Sequence, residues 1–275
     1  MRKLLAMNRR KSLINITLAT AAAFGVIAGC GGREDNATSS SPGGGAAQET
    51  LTMGTSPDYP PYEFKDTASG SSEVQGFDVD IANYVAKELG FKLEIKESDF
   101  NGLIPSLQAN RVDFVMAGMT PTEERKKNVD FSEIYYEAKN TIVAKKGTNF
   151  TKLEDLAGKK VGVQLGSTQE KTLKDAAKGI QGITPVARNR IPELIQEIKA
   201  NRIEAAVVED TVAKGYVANN PDLVFNTIPS NPEEAGSAIA FPKGSERVED
   251  FNRVLKEMKE NGEMEKLVQK WFEKK

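Results

Sequence analysis

Apolar residues along this chain follow the spacing of amphipathic helices and of short buried strands, and one such stretch is present twice. Positions 103–116 (LIPSLQANRVDFVM) return 91 residues later as positions 194–207 (LIQEIKANRIEAAV). Each copy predicts an amphipathic helix, an Asn-Arg turn and a buried strand. Strands and helices also alternate over the rest of the chain, which favours parallel sheets covered by helices on both faces. The repeat therefore predicts two similar α/β lobes.

Polar groups follow the strand of each copy. Residues 117–120 (AGMT) come after the first strand, and residues 208–211 (VEDT) end the second. In open α/β sheets, ligands bind beyond the carboxyl ends of the strands. We therefore expect the two lobes to face each other across a ligand cleft.

The order of the predicted elements assigns segments of the chain to the lobes. A strand at positions 140–145 is predicted to cross from the first lobe to the second, and an apolar strand at positions 236–241 is predicted to return. The first lobe then comprises residues 51–140 and 237–275, and the second lobe comprises residues 141–236.

The first fifty residues are unlike the rest. Basic residues precede an apolar run from Leu13 to Gly29, which is typical of a secretory signal. Small residues stand directly before Cys30, as in a bacterial lipobox, in which the cysteine is lipidated. We expect residues 1–29 to be removed and residues 30–50, rich in Gly, Ser and Ala, to form a flexible tether. A transmembrane anchor or a buried structural cysteine is the alternative interpretation.

Charge and composition exclude several classes of function. Removal of the signal takes away five of the 37 Lys and Arg residues and none of the 39 Asp and Glu residues, which leaves a net charge of −7. An acidic protein lacks the basic footprint that nucleic-acid binding requires. The chain has no histidine, so Ser-His-Asp and Cys-His catalysis and histidine-containing metal sites are excluded. Cys30 is the only cysteine, so no disulfide forms within the chain, and we expect neither a cofactor nor a metal.

Five motifs, in order and at consistent spacing, make the chain similar to a known family. They are positions 54–64 (GTSPDYPPYEF), 76–81 (GFDVDI), 100–107 (FNGLIPSL), 117–125 (AGMTPTEER) and 129–136 (VDFSEIYY). They resemble the extracellular solute-binding proteins, family 3, of polar amino acid ABC transporters, and the resemblance extends from Leu51 to the C-terminus. It implies a periplasmic-binding-protein-like α/β fold, in which two lobes are joined by two crossing strands around a ligand cleft. It also implies a monomeric extracytoplasmic lipoprotein that closes on a free polar amino acid and delivers it to an ABC permease.

A free amino acid presents a carboxylate, an ammonium and a side chain, and each needs its own subsite. Arg125 is the candidate for the carboxylate because a guanidinium donates two parallel hydrogen bonds to it. The family's Thr-x-x-x-x-Arg spacing places Thr120 beside it. Ser167 and Thr168 stand where a helix is predicted to begin, and the free N–H groups there attract an anion. A solvated helix charge and an ordinary helix cap are the alternative interpretations of these residues.

The ammonium subsite is predicted from both repeat copies. Ala117 and Gly118 are both candidates here, and Gly118 corresponds to the family position at which a backbone carbonyl faces the ammonium. Glu209 ends the second repeat strand, where family members usually have an aspartate, and the adjacent Asp210 leaves the choice between the two acids open. A carboxylate is needed in either case because a desolvated ammonium requires a counter-charge.

The side-chain subsite is predicted from the resemblance alone. Tyr59 and Phe100 match the two aromatic positions that sandwich the ligand side chain, although Phe100 is also typical of an ordinary core. Ser56 stands where relatives that bind basic side chains or glutamine often carry an acidic residue. The identity of the amino acid stays open among glutamine, arginine, histidine and others.

Two other functions share such a scaffold. A dehydratase-like enzyme would use Glu209 or Asp210 as its general acid. A sensory lipoprotein would report the bound ligand to a receptor. The complete set of amino acid subsites and the absence of histidine favour a binding protein without catalysis.

Overall fold

The computed structural model describes residues 48–66, 70–229 and 236–273. The predicted signal, Cys30 and most of the predicted tether lie outside these residues. Within the described ranges, no helix is long and apolar enough to cross a membrane.

The first lobe is formed by segments from both ends of the described chain. Its elements are β1 (Thr50–Thr55), β2 (Asp58–Tyr59), β3 (Glu63–Lys65), β4 (Val74–Gln75), α1 (Phe77–Leu89), β5 (Lys92–Glu97), α2 (Leu103–Gln108), β6 (Phe114–Val115), α3 (Glu123–Lys126), β7 (Val129–Phe131), β13 (Ala240–Pro242), α7 (Arg247–Glu260) and α8 (Glu263–Trp271). The main sheet has the strand order β5-β1-β6-β13-β7, and β2, β3 and β4 form a small second sheet.

The second lobe is formed by the middle of the chain. Its elements are β8 (Asn140–Lys145), β9 (Lys160–Gln164), α4 (Thr168–Ala176), β10 (Thr184–Arg188), α5 (Ile191–Lys199), β11 (Ala205–Glu209), α6 (Asp210–Ala218) and β12 (Leu223–Thr227). Its sheet has the order β10-β9-β11-β8-β12, which repeats the arrangement of the first sheet with β9 in the place of β1. The predicted pair of α/β lobes is thus confirmed.

The prediction of purely parallel sheets is wrong at one strand of each lobe. β1 runs parallel to β5 and β6, and β9 runs parallel to β10 and β11. In contrast, β13 is antiparallel to β6 and β7, and β8 is antiparallel to β11 and β12. β8 and β13 are the first strands after the chain passes from one lobe to the other. Each therefore runs in the direction opposite to that of its neighbours in the sheet. The return strand is also shorter than predicted, because only Ala240–Pro242 is a strand and Ser237 forms an isolated bridge with Tyr136.

The two repeat copies have the same local structure. The first copy forms α2 and β6, and the second copy forms α5 and β11. Between helix and strand, Asn110 (φ 51°) and Asn201 (φ 55°) both adopt the left-handed conformation, which asparagine tolerates better than most residues. The equivalent turns direct each strand toward the space between the lobes.

Buried apolar side chains hold the strands in place behind the cleft. In the first lobe, Phe251 on α7 packs against Phe114 on β6 (5.1 Å between centroids) and Phe241 on β13 (5.0 Å). In the second lobe, every residue of β11 is buried. Full burial of such a side chain contributes roughly 1.5–3 kcal/mol. The strand ends that carry Gly118 and Glu209 therefore project from well-packed sheets.

Candidate ligand-binding site

A small cavity lies between the lobes. Its walls are formed by Tyr59, Phe100, Ala117, Gly118, Thr120 and Arg125 of the first lobe and by Gln164, Ser167, Thr168, Gln169 and Glu209 of the second lobe. The structure thus brings together nine of the residues predicted from the sequence, and it adds Gln164 and Gln169.

Arg125 is positioned by the short helix α3. The side chain of Thr122 accepts the backbone N–H of Arg125 (3.3 Å) at the start of this helix. The guanidinium donates to the carbonyl of Thr120 (2.8 Å) and to the carbonyl of Gly166 in the other lobe (2.9 Å). It also lies over the ring of Phe100, 5.3 Å from the centroid. Burial lowers the pKa of Arg125 to about 10, so the group is a cation at neutral pH. Its hydrogen-bond acceptors are neutral carbonyl groups, so the guanidinium is suited to bind the carboxylate of a ligand.

The second wall is formed by the N-terminus of α4. Ser167 caps this helix, because its hydroxyl accepts the backbone N–H of Glu170 (3.1 Å) and donates to the carbonyl of Gln164 (2.7 Å). The side chain of Glu170 in turn accepts the backbone N–H of Gly166 (2.7 Å). Thr168 is the first residue of the helix and lines the cavity. The helix therefore presents its positive end to the cavity, close to Arg125.

Glu209 is the acidic group of the cavity. It ends β11, is 7% exposed, and its Oε2 has no hydrogen-bond partner among the described residues. Burial, with a smaller contribution from the negative charges of Asp210 and Asp78, raises the pKa of Glu209 to about 8. The neighbouring hydroxyls of Tyr62 and Tyr59 partly oppose this shift. A cationic ligand group would supply the charge that this carboxyl lacks.

Two predicted residues lie outside the cavity wall. Asp210 opens α6 directly after the strand, and its Oδ1 accepts the backbone N–H groups of Lys139 (3.1 Å) and Thr211 (2.9 Å). It faces the crossing segment because consecutive residues at a strand end point in different directions. Ser56 is 1% exposed, and its hydroxyl donates to Oδ1 of Asp58 (2.8 Å) instead of facing the cavity. Glu209 thus lines the cavity, whereas Asp210 does not.

Gly118 and Tyr59 depend on each other sterically. Gly118 has a φ of +53°, and a Cβ added there would lie 3.0 Å from Cε1 of Tyr59. Tyr59 is buried and stacks on Tyr62 with 5.6 Å between the ring centroids. Any other residue at position 118 would be strained and would displace the Tyr59 ring.

Three residues of the site were not predicted from the sequence. Gln169 donates to Oδ1 of Asn140 on the crossing strand (2.8 Å), and Gln164 donates to Oδ2 of Asp58 (3.3 Å). Asp58 itself is 6% exposed, and Oδ2 also accepts the backbone N–H of Ile191, at the N-terminus of α5 in the other lobe (2.7 Å). No pattern in the sequence singles out Asp58 or the two amide side chains as site residues.

Further bonds across the cleft show that the lobes are closed on each other. Asp99 of the first lobe accepts hydrogen bonds from Arg190 (2.9 Å) and Asn189 (3.1 Å) of the second. The hydroxyl of Tyr216 on α6 donates to the carbonyl of Asp58 (2.8 Å). These bonds and the Arg125–Gly166 bond surround the cavity and connect its two walls.

Comparison with known proteins assigns the chain to a family. Residues 51–274 match the model of the bacterial extracellular solute-binding proteins, family 3. The chain belongs to this family. The resemblance seen in the sequence motifs is thus confirmed, and the members of the family are solute-binding proteins, which supports binding over catalysis as the role of this cleft.

Individual relatives of this solute-binding protein are similar over most of their length. The arginine-binding extracellular protein ArtP of Bacillus subtilis (strain 168) is 50% identical over 235 residues, which cover 85% of this chain and 90% of that protein. A solved structure of an ancestral arginine-binding protein bound to arginine has a TM-score of 0.77 at 44% identity, covering 82% of this chain and 99% of the other. A second structure, described as an ancestral arginine-binding protein bound to glutamine, has a TM-score of 0.76 at 43% identity, covering 83% and 100%.

Proposed function

We propose that this solute-binding protein captures a free L-amino acid with a cationic side chain, foremost L-arginine, and delivers it to an ABC permease. The proposal rests on one observation. Arg125 and Glu209 lie in the walls of the same closed cavity, and the two side chains do not form an ion pair with each other. The guanidinium suits the α-carboxylate of the ligand, with the N-terminus of α4 as a second anion partner. The carboxylate of Glu209 suits the α-ammonium.

The preference for a cationic side chain has two supports. The relatives described above are named as arginine-binding proteins, and one of them was solved with glutamine. Within this chain, the buried carboxyl of Asp58 lies directly behind Gln164 in the cavity wall. Its negative charge favours a guanidinium over a neutral amide, and the faces of Tyr59 and Phe100 also attract cations.

Capture is proposed to proceed by closure of the lobes. Residues 51–140 and 237–275 form one moving body and residues 141–236 form the other, with the hinge at the two crossings. A ligand that bridges Arg125 and Glu209 stabilises the closed form by its greater affinity for that form. A micromolar affinity requires about −8 kcal/mol, which two charged subsites and an aromatic sandwich supply.

The N-terminal segment is proposed to hold the protein outside the cytoplasm at the membrane. Residues 1–29 act as a signal peptide, Cys30 is lipidated after cleavage, and residues 30–50 tether a monomeric binding domain. Metabolic labelling with a clickable palmitate tests this arrangement. We expect label on the wild-type protein and none on Cys30→Ala, which should be released from the membrane. Retention of the label in Cys30→Ala would refute the anchor.

Calorimetric titration of the full-length protein in detergent, stripped of carried-over ligand by partial unfolding, against the twenty amino acids tests the ligand. We expect one-to-one binding of L-arginine, with L-lysine, L-histidine or L-glutamine weaker. Absence of heat across the panel would refute the amino acid assignment. Equal affinity for neutral and cationic side chains would refute the proposed class.

A further inference from the structure

A pair of buried carboxyl groups lies directly behind the cavity wall. Glu63 on β3 and Asp78 in the first turn of α1 both have no exposed surface. The backbone brings them together, because the amide of Asp78 donates to the carbonyl of Tyr62, the residue before Glu63 (2.9 Å). Two neighbouring buried carboxyl groups do not both ionise, because their negative charges repel each other strongly in a medium of low dielectric constant.

The hydrogen bonds of the two groups differ. Oδ2 of Asp78 accepts the backbone N–H of Gly118 (3.0 Å), and the hydroxyl of Tyr135 donates to Oδ1 (2.9 Å) and Oδ2 (3.0 Å). Donors of this kind stabilise a carboxylate. Glu63 accepts no hydrogen bond from a backbone amide or a hydroxyl among the described residues, and the hydrogen bond that acts on its pKa is the one shared with Asp78. The geometry therefore assigns the charge to Asp78 and the proton to Glu63.

The electrostatic shifts agree with this assignment. Burial, followed by the charge of Asp78, raises the pKa of Glu63 well above its ordinary value. Burial also raises the pKa of Asp78, but the bonds from Gly118 and Tyr135 oppose the shift and hold it at about 6. Near neutral pH, Asp78 is ionised while Glu63 is a neutral acid.

We propose that Glu63 and Asp78 share one proton and that ionised Asp78 is a positioning residue, which holds Gly118 in the cavity wall for the ligand ammonium. Asp78 does not line the cavity and acts through the Gly118 N–H. Gly118 needs such a restraint because its left-handed backbone is packed against the ring of Tyr59. The inference rests on the proposed function, since it assumes an ammonium at this wall.

The groups around Asp78 make its ionisation sensitive to the ligand. Glu63 faces it from β3, the hydroxyl of Tyr135 faces it from the segment after β7, and Glu209 on β11 acts on it across the cleft. All three are acidic or neutral. A ligand ammonium adds a positive charge, so binding favours the ionised form of Glu209 below about pH 8 and of Asp78 below about pH 6.

The matched pair Asp78→Asn and Glu63→Gln tests the assignment. Both changes keep the size of the side chain, but Glu63→Gln imitates the protonated acid whereas Asp78→Asn removes the charged acceptor. By titration of the stripped full-length protein with L-arginine at pH 7.5, we expect Glu63→Gln to bind within about threefold of wild type and Asp78→Asn to bind at least about tenfold more weakly. Equal losses, or a larger loss in Glu63→Gln, would overturn the inference.

The pH dependence separates positioning from a merely structural role. In the wild type, log Kd should rise by about one for each pH unit that the pH falls between pH 8 and 6. Below pH 6, this rise should approach two per pH unit. In Asp78→Asn, the slope should stay near one below pH 6. An unchanged slope of two in that variant would contradict the proposal. If the wild type itself does not bind L-arginine, the proposed function fails instead.

A measurement on the wild type covers the case in which Asp78→Asn does not fold. Carbon-13 NMR of glutamate carboxyl groups should show one protonated glutamate at pH 7.5 in the arginine complex, where Glu209 is ionised. This signal should disappear in Glu63→Gln. Absence of any protonated glutamate in the complex would overturn the shared proton.

Discussion

Replacing Glu209 by glutamine should make the ligand-free protein more stable above pH 8 and at the same time weaken ligand binding. Glu209 is buried at the end of β11, and its pKa in the folded protein is about 8, against 4.5 for an ordinary glutamate. The folded state therefore binds the proton more tightly than the unfolded chain does. The contribution of Glu209 to the stability is greatest below about pH 4.5 and is lost as the pH rises through about 8. Glutamine stays neutral and does not have this loss.

The size of the effect follows from the shift. At about 1.4 kcal/mol per pKa unit, the shift from 4.5 to about 8 corresponds to roughly 5 kcal/mol above pH 8, as an upper value. The amide of glutamine needs acceptors of its own in this wall, which offsets about 1–3 kcal/mol. We therefore expect Glu209→Gln to be about 2–4 kcal/mol more stable than the wild type at pH 8.5. At pH 4, where Glu209 is protonated, only the cost of the amide remains, and the variant should be about 1–3 kcal/mol less stable.

Urea unfolding of the stripped protein at pH 4 and pH 8.5 measures this difference. Glu257→Gln is the matched control, because Glu257 is exposed on α7 and should show no pH-dependent gain. Calorimetry with L-arginine at pH 7.5 should show a loss of about 2–5 kcal/mol for Glu209→Gln, the range for truncating one partner of a buried charge pair. A variant that is less stable at pH 8.5, or that binds L-arginine as the wild type does, would refute the role of Glu209.

Three further substitutions test other parts of the site. Arg125→Lys keeps the charge but loses the fork, so L-arginine binding should weaken by about 2 kcal/mol or more, and wild-type affinity by calorimetry would contradict a bidentate carboxylate contact. Gly118→Ala should weaken binding at least about tenfold and shift Tyr59 fluorescence, because its Cβ would lie 3.0 Å from the ring; unchanged affinity would show that this wall does not touch the ligand. Asp58→Asn should weaken the binding of L-arginine more than that of L-glutamine, since the weaker bond from Ile191 N–H to residue 58 affects both complexes but only L-arginine loses a counter-charge; an unchanged affinity ratio would restrict Asp58 to holding the lobes together.

The fold was predictable from the sequence where local pattern decides it. The repeat gave the α2–β6 and α5–β11 units because helix spacing, an asparagine turn and an apolar strand are all local features. The antiparallel direction of β8 and β13 was not predictable in this way. Strand direction there depends on the chain crossing between lobes, which no residue pattern within the strand records.

The same contrast between local patterns and distant contacts applies to the residues of the site. Arg125 and Glu209, which both line the cavity, were candidates because Arg125 fits the family's Thr-x-x-x-x-Arg spacing, Glu209 ends a repeat strand, and each has a charge that suits an amino acid. Asp58 was missed because its partner Ile191 is 133 residues away in the sequence. The pair Glu63 and Asp78 was missed for the same reason, since Asp78 bonds to Gly118 across 40 residues. Asp210 was included because neighbouring acids at a strand end look alike until the backbone direction is known.

A crystal structure of the stripped protein with L-arginine tests the central claim most directly. We predict density for one arginine in the cavity, with its carboxylate on the guanidinium of Arg125 and the N-terminus of α4. Its ammonium should lie beside Glu209, and its side chain between Tyr59 and Phe100. An arginine bound in the reverse orientation, or bound outside this cavity, would contradict the account.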